Sequence, residues 1–208
     1  MLIGLDFDNT VVCYDQVFHR IAWEEGWIPK DLPQTKGSVR DYLRQAGKEE
    51  AWIQLQGRVY GSRILEAPPF PGVAEFFIRC KERGTSVMIV SHKTRFPFRG
   101  PAVDLHHAAW GWLTHHRFFH PSPMGLLPQG VYFEETKEGK LSRIGSLGCT
   151  HFVDDLPEFL LEPGFPAQVE RILFDPGGMG ASDPRFNRAA SWQNVGERIF
   201  GRGAPAES

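Results

Sequence analysis

Acidic side chains stand in two tight pairs in this chain: Asp6 and Asp8 in the string DFDNT near the N-terminus, and Asp154-Asp155 in VDD far downstream. A carboxylate can serve as a nucleophile that splits one hard displacement into two easier ones. A second carboxylate two residues on, on the same side of a strand end, can protonate the leaving group. Four carboxylates in one crevice repel one another unless a hard cation sits among them, and ligation by carboxylates, a backbone carbonyl and waters is what Mg²⁺ prefers. The local alternative is that DFDNT is a turn with Asp and Asn bonding nearby backbone, and that Asp154-Asp155 caps a helix starting near Leu156. The first chemistry requires a fold that brings the two pairs together.

The elements that could position them alternate between strand and helix. Met1 to Leu5 is an apolar run ending at the first acidic pair, as in a strand buried on both faces of a parallel sheet. From Tyr14 to Ala67 the period turns helical, predicting three helices and no strand, with Ser38 and Asp41 as a capping pair and Tyr14, Phe18, Ile21 and Ala22 on one face. The PPFPG run at 68–72 reads as a rigid domain junction before a helix whose stripe is Val73, Phe76, Phe77 and Cys80 and which stops at Gly84. Ser86 to Val90 is a β-branched strand leading into Ser91, followed by a loop with Arg95 and Arg99 and a helix that Pro101 could open. Val131 to Phe133, Thr150 to Val153 and Arg171 to Phe174 read as strands, and Lys140 to Gly148 as a short helix closed by glycine. This alternation predicts an α/β fold, a Rossmann-like parallel sheet flanked by helices with right-handed crossovers. Loops at the C-terminal strand ends of such a sheet face one crevice, so Asp6, Asp8, Ser91, Asp154 and Asp155 can meet there.

An apolar strand into DFDNT, a later apolar strand into Ser91, a lysine opening a helix and then VDD resemble, in order and type, the haloacid dehalogenase superfamily of phosphatases. The resemblance implies a fold covering nearly the whole chain and a helical cap inserted between the first and second motifs. It implies that Asp6 attacks phosphorus to form an aspartyl-phosphate, and that Asp8 is the general acid and later activates water. Ser91 would hydrogen-bond a phosphoryl oxygen. The lysine is Lys140 or Lys137, with Lys140 favoured because it precedes the apolar face Leu141, Ile144 and Leu147. The implied Mg²⁺ site is Asp6, Asp8 (through its backbone carbonyl), Asp154 and Asp155. Candidate substrate-binding residues are Thr10, Ser91, His92 and Arg95, the last two giving the rim a basic edge for a second anionic group. An aspartate at position 8 suits phosphoryl transfer and is absent from dehalogenating members, so dehalogenation is disfavoured.

The expected domains are an α/β core of 1–13 and 68–200, a helical cap of 14–67 and a flexible tail of 201–208. The expected activity is Mg²⁺-dependent hydrolysis of a small phosphorylated metabolite, a sugar phosphate or nucleotide. A phosphomutase or phosphotransferase on the same residues, or a non-catalytic phospho-ligand module, are the alternatives.

Composition narrows the partners. The 208 residues, 41% hydrophobic and 23% charged, can support one full core with an appendage. Twenty-three basic against 25 acidic residues supply no general field for nucleic acid. The segment MLIGLDFDNT has neither a basic n-region nor a long apolar run, so no signal peptide or membrane span is expected. Cys13, Cys80 and Cys149, odd in number and without a CxxC, fit a reducing cytoplasm. HHAAWGWLTHHRFFH reads as a histidine-rich surface helix rather than a zinc site, although His116 and His120 have i, i+4 spacing. Trp23, Trp27 and Trp52 read as core for a small helical unit, and the loop from Asp175 to Gly180 lacks a dinucleotide-binding pattern.

Overall fold

A computed structural model of the chain describes residues 1–178, 180 and 182–201. The expected flexible tail lies, from 202 onward, outside the described residues. In chain order the elements are β1 (Leu2–Leu5), α1 (Asp15–Glu24), α2 (Lys36–Gln45), α3 (Glu49–Tyr60), α4 (Val73–Glu82), β2 (Ser86–His92), α5 (Leu105–His115), β3 (Val131–Glu134), α6 (Lys137–Leu147), β4 (His151–Asp154), α7 (Pro157–Leu160), β5 (Glu170–Phe174), β6 (Asn187–Ala189) and α8 (Trp192–Phe200). Among the described residues six strands form one sheet in the order β3-β2-β1-β4-β5-β6, every pairing parallel.

The chain forms two compact units, one of Met1–Val11, Phe70–His92 and Phe119–Ser208, the other of Val12–Pro69 and Lys93–Phe118. The division falls inside the PPFPG run. The first unit holds the sheet. Successive strand residues face opposite sides, so Val90, Phe152 and Leu173 join Ile144, Phe159, Leu160 and Phe165 from the α6 and α7 side in one buried cluster. On the other side Phe174 meets Trp192 with ring centroids 5.4 Å apart, and Phe76 of α4 meets the same indole at 4.9 Å. Both sheet faces are thereby covered, which is why the strands are apolar runs rather than alternating ones.

Gly4, in the middle of β1, marks a close approach. A Cβ there would stand 2.5 Å from Phe152 Cδ2 and 3.1 Å from Cys149 Sγ. Gly4→Val is expected to lose about 1–3 kcal/mol in a urea melt, the usual cost of overpacking a fitted core. Wild-type stability in that variant would show that the Phe152 ring can yield.

The second unit is helical. Phe18 stacks on Trp52 at 5.1 Å and Tyr60 sets its edge against Tyr14 at 5.0 Å and Phe18 at 5.6 Å, so Trp52 is core as expected. Trp23 is exposed and Trp27 half-buried. The expected 14–67 insertion is joined by Lys93–Phe118, because α5 buries Leu105, Ala109, Trp112 and Leu113 and Trp112 Nε1 donates to the Ala67 carbonyl at 2.7 Å.

Two capping expectations are corrected. The α2 cap is Thr35, whose Oγ1 accepts from Ser38 N at 3.0 Å, and not the Ser38–Asp41 pair. Helix α5 opens at Leu105 rather than at Pro101, since the Asp104 carboxylate accepts from His107 N at 2.9 Å. Strand β6 and α8 had no counterpart in the sequence reading. Ser191 caps α8 by accepting from Asn194 N at 3.1 Å, and Trp192 and Val195 are buried at helical spacing; that cap and stripe were the available signal.

Candidate active site

The register of the sheet sets the site. Leu5 lies opposite Val153 of β4, and the pairing runs one residue further, with Asp6 N donating to Val153 O at 2.9 Å. Asp6 and Asp154 therefore leave adjacent strand ends side by side. On the other flank β1 pairs with β2, which places Ser91 near its C-terminal end within reach of Asp6. Ser91 Oγ donates to Asp6 Oδ1 at 2.9 Å.

Lys140 reaches the same place from α6. The helix begins at Lys137, three residues earlier than expected, because Thr136 Oγ1 accepts from Gly139 N at 3.0 Å. That start puts Lys140 one turn before Ile144 on the buried face. Its ammonium donates to Asp6 Oδ1 and to Asp154 Oδ2, each at 2.6 Å. Phe159 and Phe152 flank it, with ring centroids 4.1 and 5.4 Å from Nζ. Lys137, the alternative, instead bonds Glu162 at the surface.

All three partners are buried, Asp6 5% exposed, Lys140 2% and Asp154 0%. Burial alone would push the Lys140 ammonium down, but the charges of Asp154 and Asp6 and the hydrogen bonds to both hold it above its ordinary value. Burial pushes the Asp154 carboxyl up, to about 7. The Lys140 charge opposes the rise, Asp6 adds to it, and hydrogen bonds from Lys140 and from Leu156 N pull it back. The Leu156 contact, N to Oδ1 at 2.9 Å, shows that Asp154 serves the local chain as well as the cluster.

Asp6, Asp154 and Asp155 each offer an oxygen within 4.8 Å of the others, and they are the group of three or more such ligands among the described residues. With its three carboxylates ionised and its one ammonium charged, the cluster carries a net charge of −2. One hard divalent cation would balance that charge, and an all-oxygen donor set suits it. The Asp8 carboxylate is outside this group, and Asp8 itself is half-buried. Asn9 then turns the chain with φ 59°, a left-handed conformation that asparagine tolerates better than most residues.

The candidate substrate contacts divide. Ser91 is in the cluster. Thr10 is fully buried and its carbonyl accepts from Trp192 Nε1 at 3.1 Å, which anchors the DFDNT loop to α8. Trp192 is thus a positioning residue the sequence reading missed, as are the aromatic walls Phe152 and Phe159. His92 is exposed, with Nε2 3.2 Å from the Glu135 carbonyl. Arg95 belongs to the helical unit, where its Nε donates to Asp104 Oδ2 at 3.0 Å. His116 and His120 are not part of any cluster of metal-ligating side chains among the described residues. Burial raises the Cys13 thiol above its ordinary value, opposed by a backbone hydrogen bond at Asp15 and reinforced to a smaller degree by the Asp15 charge.

No protein-family model and no curated protein matches the sequence. Solved structures do match. A haloacid dehalogenase family hydrolase from Deinococcus radiodurans, with bound phosphate and sodium, aligns at TM-score 0.58 and 12% identity over 95% of this chain and 94% of that one. A haloacid dehalogenase-like protein from Agrobacterium tumefaciens aligns at 0.56 and 16%, over 95% and 96%. A structure described as a dehalogenase aligns at 0.55 and 12%, over 97% of both chains. At these identities the likeness is one of fold, and it extends over nearly the full length of each partner. The chain has the haloacid dehalogenase-like fold.

Proposed function

We propose that the chain is a phosphatase of the haloacid dehalogenase superfamily, a Mg²⁺-dependent phosphomonoester hydrolase acting on a small phosphorylated metabolite. The observation that carries this reading is the convergence on Asp6 Oδ1 of Ser91 Oγ and Lys140 Nζ, with Asp154 and Asp155 beside it. Both donors engage one oxygen of the Asp6 carboxylate, which orients the other, Oδ2, as the attacking atom. That oxygen forms the bond to phosphorus while the bond from phosphorus to the leaving oxygen breaks. Asp8 gives its proton to the departing alkoxide, then as a carboxylate takes one from water. The hydroxide so formed attacks phosphorus, the Asp6–phosphorus bond breaks, and inorganic phosphate leaves. Lys140 and Ser91 hold positive charge and a hydrogen bond where charge builds on the phosphoryl oxygens. Asp6, Asp154, Asp155 and the Asp8 carbonyl would hold the Mg²⁺, which supplies electrostatic stabilisation of the transferring group.

Asp8 also favours phosphoryl transfer over dehalogenation, since a haloacid needs no proton donor for its departing halide. In this reading the helical unit is a substrate-selecting cap. A reducing, cytoplasmic setting goes with this reading, and Cys13, Cys80 and Cys149 as free thiols support it. Phosphate release from p-nitrophenyl phosphate should depend on Mg²⁺ and stop with EDTA, whereas 2-chloropropionate should release no chloride. The opposite pattern would replace this function with dehalogenation.

The Asp154 shift gives a pH signature. Its folded value, about 7, exceeds the ordinary unfolded one near 3.9, so the fold favours the protonated acid. The resulting stabilisation is present at low pH and is lost as pH rises through about 4 to about 7 in cation-free protein. Mg²⁺ binds the ionised form, so the rise in melting temperature it produces should be larger at pH 8 than at pH 5.5. An equal rise at both values would place the ion away from Asp154.

A further inference from the structure

A cavity of about 390 Å³ opens within the helical unit, between α3 and the loop leading to α5. Its charged lining has one sign. Arg58, Arg63 and Arg99 contribute to the wall, with Gln54 and Ser62 among the polar remainder, and among the described residues no aspartate or glutamate lines it. The wall facing the hollow is therefore cationic, while the glutamates that balance it stand behind the wall.

The arginines are held by groups outside the wall. Arg58 bonds Glu25 and lies over the Trp27 ring at 5.7 Å, and Arg63 bonds Glu66 and reaches Glu24 at 3.4 Å. Arg99 has one long ionic contact, 4.0 Å to Glu50, and is 64% exposed. The loop carrying it sits directly on α3. A Cβ at Gly57 would stand 2.9 Å from Pro97 Cβ and 3.0 Å from the Arg99 carbonyl, so the glycine permits the contact that brings Arg99 to the cavity.

Guanidinium forks match pairs of phosphoryl or carboxylate oxygens, and the volume lies at the small end of metabolite sites. We propose that this cavity binds a small, multiply charged oxyanion of the phosphate or pyrophosphate class, free or carried on a metabolite, using residues separate from the Asp6 cluster. The inference does not depend on the catalytic reading. Without a cation the Asp6 cluster is net negative and repels the same anion, so metal-free protein isolates the arginine site.

The test is equilibrium dialysis of radiolabelled inorganic pyrophosphate against the full chain, stripped of metal with an immobilised chelator, at low salt. One equivalent should bind, weakened about tenfold or more in Arg99→Glu and in Arg58→Lys, as expected when charged hydrogen bonds are lost. The exposed control Arg40→Ala should bind as wild type. Arg99→Ala keeps the test open should the charge reversal not fold. A nucleoside diphosphate run alongside separates the sources. Equal affinity means the oxyanion alone is recognised, and tighter binding that Arg99→Glu abolishes means a carried phosphate group. Absence of binding, or binding of either probe that persists in both Arg99 variants, overturns the site.

Discussion

Asp6→Asn is expected to lose more than about a thousandfold in turnover of an aryl phosphate, equivalent to about 4 kcal/mol of barrier, while keeping the wild-type fold. The substitution preserves shape and leaves an amide oxygen that can still accept from Ser91 Oγ and Lys140 Nζ. Two things are lost. A neutral amide is a poor nucleophile toward phosphorus, and the cluster falls from a net charge of −2 to −1, so a divalent cation is held less firmly. The measurement is phosphate release under saturating Mg²⁺, with circular dichroism to verify folding. Because extra Mg²⁺ can offset weaker binding but cannot restore a nucleophile, activity recovered at high Mg²⁺ would assign Asp6 to the metal alone. Wild-type turnover would remove it from the chemistry altogether.

Lys140→Met should have the largest effect on stability, about 3–5 kcal/mol, the cost of leaving a buried charge without its partner. The ammonium stands between Asp6 and Asp154 at 2.6 Å from each, flanked by the Phe152 and Phe159 rings. Methionine fills a similar volume, so the loss reports charge rather than a hole. Its pH dependence separates the two causes. With the lysine gone Asp154 is driven further toward its protonated form, so the deficit in a urea melt should shrink from pH 8 to pH 5 and should also shrink at pH 8 when Mg²⁺ is added. A deficit that is the same at both pH values would mean lost packing, and a deficit under about 1 kcal/mol would mean that the carboxylates find other partners. Lys140→Arg should not restore activity, because a planar fork does not fit a site this closed.

Much of the site could be read from residue order because a parallel sheet aligns its strand ends. Once Met1–Leu5, Ser86–Val90 and Thr150–Val153 are taken as neighbouring strands, Asp6, Ser91 and Asp154 must come out on one edge. The lysine was only half legible. Both Lys137 and Lys140 lie near the helix start, and the Thr136 cap decides which faces inward. Thr10, His92 and Arg95 lie beside the motifs in sequence, but proximity does not say which neighbours their side chains and carbonyls meet. Asp104 engages Arg95, the Glu135 carbonyl lies beside His92, and the Trp192 indole anchors Thr10.

The chain's order of apolar runs and acidic pairs is enough to determine five of the six strands and the carboxylate edge, since those follow from periodicities of two and 3.6 and from hydrophobic burial. Tertiary structure alone decided that α5 joins the helical unit, that α8 supports the DFDNT loop, and that Lys140 bridges both Asp6 and Asp154. Each depends on contacts between residues distant in sequence, where packing and desolvation rather than local propensity set the energy.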